Sequence, residues 1–117
     1  MNDKPRIGEC PLYLLLRMGE IAEFNTRKLA GEACDLIGTD LSRLDLRNLN
    51  AEDLNLRDCY FRLSDLRGID FRTAELEGAS FAQANVSGCF FPSSLRAAEL
   101  SLALEHGTRV RYNTSEF

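Results

Sequence analysis

The chain has 117 residues and a mass of 13.2 kDa, enough for one domain and too little for two separate cores. With 44% hydrophobic and 27% charged residues it has a folded protein's composition, and a net charge of −4 argues against a nucleic-acid binder driven by phosphate contacts. The longest apolar run, residues 12–16, is too short to span a bilayer, and residues 1–5 lack a secretion-signal layout, so a cytoplasmic address without a membrane partner is expected.

In chain order, Pro11 suits the first position of a helix, and Gly19 and Glu20 allow a break. Residues 20–30 then carry Ile21, Ala22, Phe24 and Leu29 before Gly31 as a stop signal. Residues 11–30 are therefore expected as one bent helix or a short helical pair.

From residue 36 onward every fifth position is apolar: Leu36, Leu41, Leu46, Ala51, Leu56, Phe61, Leu66, Phe71, Leu76, Phe81, Val86 and Phe91. By chance this would occur about once in twenty thousand trials, so it marks an internal repeat. The residues two places earlier are small or apolar throughout, from Cys34 to Cys89, while Asp, Asn or Glu mostly precede each centre and Arg often follows it. A period of five matches neither a helix nor a continuous strand. It fits a chain that turns a corner every five residues, and Gly38, Asn48, Asp53, Asp58, Gly68, Gly78 and Gly88 stand at the corners, where turn geometry favours them. Four such sides make a coil of 20 residues, and coils stack at about 4.8 Å.

The units Cys34-Asp35-Leu36-Ile37-Gly38 and Ala84-Asn85-Val86-Ser87-Gly88 resemble the pentapeptide-repeat family, with its A(D/N)LXX consensus. The resemblance implies an all-β solenoid: a right-handed quadrilateral β-helix of about three coils, its centres and the residues two before them buried. Departures fall at Ala51, a small centre, and at Tyr60, Ser80 and Phe90, where Asp or Asn is usual. The expected organisation is a helical cap over residues 1–32, the β-helix over 33–93, and a C-terminal helix and short strand over 94–117, in one folding unit.

After Pro92, Ser93 or Ser94 can cap a helix ending near His106, with Gly107 beyond it. That helix carries two apolar stripes, Leu95, Ala98, Leu102 and Ala97, Leu100, Leu104, one more than a cap requires. A homodimer through this helix is expected, as in similar family members, with Val110 and Tyr112 in a half-buried strand able to pair along either edge. His106 reads as a partner of the helix dipole. Cys10, Cys34, Cys59 and Cys89, 24 to 30 residues apart, carry no metal or redox spacing and are expected as reduced core thiols.

A 20-residue period also places surface side chains in columns. Arg57, Arg62, Arg67 and Arg72 face four ways, giving a belt and no single basic patch, while Asp45, Asp65 and Asn85 run beside Arg47 and Arg67. Tyr60 and Leu63 point outward on one side with Arg62 between them and Arg43 on the adjoining coil, a candidate partner surface. Ile37 and Phe90 also point outward, each expected under a terminal helix. No nucleophile–base constellation or phosphate loop is present, so no catalytic residue, cofactor or metal is expected. The function expected is a non-enzymatic scaffold or regulatory module for a protein partner. The resemblance offers one alternative, gyrase binding by DNA mimicry, but a net −4 over about 14 Å of coils falls short of roughly eight phosphate-like charges.

Overall fold

The computed structural model describes residues 8–112. Two helices, α1 (Pro11–Arg17) and α2 (Ile21–Leu29), precede the repeats, and a third, α3 (Ala97–His106), follows them. The N-terminal segment is thus a pair, parted by Gly19 at φ 79° and opened by Pro11 at the start of α1.

The repeats stack with a strict 20-residue step. Parallel bridges join Asp40 to Tyr60, Asp45 to Asp65, Asn55 to Glu75, Tyr60 to Ser80, Asp65 to Asn85 and Asp70 to Phe90. Among the described residues these bridges stand alone, and no strand of consecutive ladder residues forms. The chain turns immediately after each bridging residue, with turns such as Leu36 O to Thr39 N (3.1 Å) and Phe61 O to Ser64 N (3.0 Å), so each side holds a single rung. The expected β-solenoid is therefore a stack of corners tied by single rungs. Of the eleven corner residues from 38 to 88, ten have positive φ; Thr73 alone departs.

The ten centres from Leu36 to Phe81 are buried, and Val86 and Phe91 are half-buried at the last coil. Phe61 stacks on Phe81 (centroids 5.1 Å) and Phe71 on Phe91 (5.6 Å), while the two stacks meet edge to face. Polar residues at the inward position two before a centre bond to the coil below. Cys59 donates to Leu36 O (3.0 Å), Ser64 to Leu41 O (2.5 Å) and Cys89 to Leu66 O (2.8 Å). Burial pushes the Cys59 thiol up to about 11 against the opposing bond from Thr39.

Cys59 and Cys89 are free, as expected, but Cys10 and Cys34 form a disulfide. The spacing could not show this, because it is the fold of α1 across the first coil that brings the two Cα atoms to 6.1 Å.

A stack of coils needs covers at both ends. At the base, Leu12, Tyr13, Leu16, Ile21 and Phe24 form an apolar floor. The Asn25 amide donates to Asn48 O and accepts from Asn50 N, both at 2.9 Å. Tyr60 makes the same exchange with Thr39 O and Leu41 N one coil up, so the Asn25 side chain stands in for a missing peptide. At the top, Leu104 O accepts from Gln83 N (3.1 Å) and Val110 O from Gly78 N (2.8 Å). Residues 108–112 run antiparallel to the last coil, with Arg109 bridged to Ser80.

The C-terminal helix starts at Ala97, later than the serines suggested, and its N-cap Arg96 makes no side-chain cap bond. Residues before it are spent on a turn, Leu95 N to Pro92 O (3.0 Å), that drives Leu95 inward. Its end is as read, with Gly107 left-handed at φ 73°.

Candidate functional site

One face of the stack, carrying Asp40, Tyr60 and Ser80 one above another, differs from the others in backbone and in charge; it is called the tyrosine face below.

The backbone difference lies at its corner. At the other three corners the left-handed residues are Gly38, Asp58 and Gly78, or Asn48, Gly68 and Gly88, or Asp53. These tolerate positive φ. At the tyrosine-face corner they are Arg43 (φ 61°), Leu63 (φ 61°) and Gln83 (φ 58°) in all three coils. A left-handed L-residue without a helpful side chain costs roughly 1–2 kcal/mol. The corner is held by backbone bonds from Arg43 N to Arg62 O (2.8 Å), Leu63 N to Ala82 O (2.9 Å) and Gln83 N to Leu104 O. Strain held in place by a surrounding ladder is a reason to look for function at those side chains.

The charge difference follows from the repeat chemistry. In Asp-Leu-Arg and Asp-Phe-Arg units the guanidinium folds back on the carboxylate two residues earlier: Arg47 on Asp45 (2.7 Å), Arg67 on Asp65 (2.7 Å) and Arg72 on Asp70 (2.8 Å). Arg47 also reaches Asp65 of the next coil at 3.5 Å, which ties the column vertically. Arg62 has Tyr60 in the aspartate slot and Arg43 sits at a corner, so neither forms an ion pair among the described residues.

Both flanks add cations here. Arg17 of α1 donates to Asp40 O (3.3 Å). Arg109 donates to Gly78 O (2.8 Å) and to the Tyr60 hydroxyl (2.5 Å), its guanidinium 4.9 Å from the Tyr60 ring centroid. Four arginines therefore share a face whose carboxylate, Asp40, is engaged by the Ser42 hydroxyl (2.5 Å) and backbone N–H (3.0 Å). The belt expected from the repeats stands, with Arg57, Arg67 and Arg72 on the other sides, and the flanks add a basic face around its one member here, Arg62. The period relates coils to one another and says nothing of Arg17 or Arg109, so no sequence signal placed them here.

The structure brings Tyr60, Arg62, Leu63 and Arg43 to this one face. Arg43, Arg62 and Leu63 are exposed, whereas Tyr60 is half-buried beneath Arg109. Of the residues considered for a dimer, Leu95 and Val110 are buried in the cap, Leu100 and Leu104 are half-buried, and the Tyr112 hydroxyl accepts from Leu76 N (2.8 Å). Ala97 and Leu102 are left exposed. Phe90 is 56% exposed because α3 starts beyond it, and Arg72 covers one side of its ring at 4.9 Å. Ile37 is 38% exposed, so neither residue lies under a terminal helix as expected. A hollow of about 540 Å³ between α2 and the first coil, lined by Leu12, Phe24, Leu29 and Leu54, lies away from the tyrosine face.

The paired aspartates set an acid limit. Hydrogen bonds from Arg47 and Arg72 hold Asp45 and Asp70 at about 2, below the ordinary 3.8. A depressed carboxylate contributes stability above its unfolded value and loses it as pH falls through the folded one. Thermal melts should therefore lose stability between about pH 4 and pH 2, and an Arg47→Ala, Arg72→Ala variant should show a flatter decline there. The exposure of both pairs keeps the effect small.

A family model described as Pentapeptide repeats matches residues 32–62 and 55–91, in 8 copies. No curated protein and no solved structure matches the chain.

Proposed function

Because the chain belongs to the pentapeptide-repeat family, we propose that it works as a non-enzymatic protein-interaction module whose docking surface is the tyrosine face. In this reading the repeats form a right-handed quadrilateral β-helix, a rigid post that presents Arg43, Arg62 and Leu63 to a partner around the Tyr60–Arg109 stack. The reading is carried by the corner where Arg43, Leu63 and Gln83 keep a left-handed backbone that glycine or asparagine would adopt at less cost. Rigid presentation suits such a role, since a preorganised surface loses little entropy on binding. A second copy docking on Leu102 and Ala97 of α3 belongs to the same proposal and would set two such faces on one particle.

The DNA-mimic alternative needs an acidic strip, and it is the weaker reading. Asp45, Asp65 and Asp70 are paired within their own repeats, and Asp58, Glu75 and Glu77 around Arg57 on another side fall short of the roughly eight charges such a strip needs.

The proposal is tested by replacing all three corner residues, Arg43→Gly, Leu63→Gly and Gln83→Gly. Each change relieves roughly 1–2 kcal/mol of strain and returns about 0.5–1 kcal/mol of chain entropy, so the triple variant should be more stable by about 2 kcal/mol. It should also lose the proteins that immobilised wild type retains from its own lysate, compared by quantitative mass spectrometry. A stabilised variant retaining the same proteins would remove this face from consideration.

A further inference from the structure

We infer that the tyrosine face recognises an acidic peptide segment: a stretch rich in Asp or Glu that also carries a leucine- or phenylalanine-like side chain. This rests on the docking face proposed above and adds the chemistry of what docks there.

The first reason is uncompensated charge. Wherever else Asp precedes an arginine-bearing centre, the guanidinium is closed on a carboxylate of its own repeat. On the tyrosine face that carboxylate is replaced by Tyr60, and Arg62 has no ion-pair partner among the described residues. Arg43 lies one coil away, held by Arg43 N to Arg62 O at 2.8 Å. Arg17 and Arg109 add two more cations to the same face and spend hydrogen bonds on carbonyls, which leaves their charge in place. Four arginines against the one carboxylate of Asp40 leave this face positive, and a bound carboxylate run relieves their mutual repulsion while accepting forked guanidinium bonds.

The second reason is where the apolar surface lies. Leu63 is 38% exposed between the corner arginine below and Gln83 above, beside a tyrosine ring already topped by a guanidinium. An aromatic, an aliphatic and arginines in one patch have the makeup of a protein-binding hot spot. A peptide bearing one apolar side chain between carboxylates matches this order, whereas a sugar–phosphate backbone leaves Leu63 with nothing apolar to meet. The arginines would also steer an acidic partner toward the face, which makes the association rate sensitive to salt.

The test selects from a library of random 12-residue displayed peptides against the full chain, with an Arg43→Glu, Arg62→Glu variant as counter-target. Both positions are exposed, and circular dichroism checks the fold; Arg43→Gln, Arg62→Gln serves if the reversal disturbs it. Enriched peptides should carry a net charge of about −3 or below and a Leu, Ile or Phe, and should bind the variant at least about tenfold more weakly. Neutral or cationic peptides, equal binding to the variant, or no enrichment would overturn the inference. So would a fluorescent single-stranded DNA 12-mer that binds as tightly as the best peptide. If lysate proteins still depend on the corner while acidic peptides fail, the docking face stands and the partner chemistry falls.

Discussion

Phe71→Ala is expected to cost about 3–5 kcal/mol, the range for removing a buried aromatic ring. Phe71 is fully buried and touches the rings of Phe61, Phe81 and Phe91, so its loss opens a void at the middle of both stacks. The surrounding backbone cannot collapse into that void, because every coil is fixed to its neighbours by rungs one residue wide. A domain of this size has about 5–15 kcal/mol in total, so the variant should lose a large share of its stability. Phe91→Ala should cost clearly less, since Phe91 is half-buried at the last coil. Denaturant titrations of both variants give the comparison. Equal losses would mean that the two stacks are not the centre of the core.

Reduction of the Cys10–Cys34 disulfide is expected to cost on the order of 3 kcal/mol, as the entropy of closing a loop of this length. The two cysteines are 24 residues apart and enclose both N-terminal helices, so the bond holds the base cover in place. For a domain of this size that corresponds to a fall of roughly 10 °C or more in Tm with dithiothreitol, and Cys10→Ser should reproduce it. Thiol titration of the unfolded chain should count two free groups before reduction and four after. An unchanged melt with four titratable thiols from the outset would show that the expectation of reduced thiols was right.

Residues 34–93 were open to reading because one physical constraint recurs at every step. A centre must point inward, a small residue must sit two places before it, and a turn must follow, so the same side-chain types return every fifth position. Gly38, Gly68 and Asn48 announced the corners for that reason, and all three have positive φ. The same logic could not announce Arg43, Leu63 and Gln83, since their side chains disfavour the backbone they adopt. The flanks were legible as helices through Pro11, Gly31 and Gly107 but not in their contacts. Asn25 looks like any polar residue of an amphipathic helix, and only the geometry reveals its amide as a substitute peptide group. Arg109 reads as one member of an alternating strand, and its place over Tyr60 depends on a chain reversal after α3 that no period encodes. The absence of extended strands has a similar origin. Among the described residues a turn follows every rung, so each side of the stack shows a single bridge in place of a strand.

The strict 20-residue step makes the molecule behave like a combination lock. Inserting one five-residue unit between Arg43 and Tyr60 would preserve every local preference and every buried centre. It would also turn everything above the change by one side of the square. Arg17 and Arg43 would then face one way and Arg62 and Arg109 another, and the basic face would be split without the loss of a single residue. Whole coils can come and go, lengthening the post and leaving its dial aligned. Length variation that keeps the proposed surface intact is therefore confined to multiples of 20 residues, and any other increment resets what the protein presents to its surroundings.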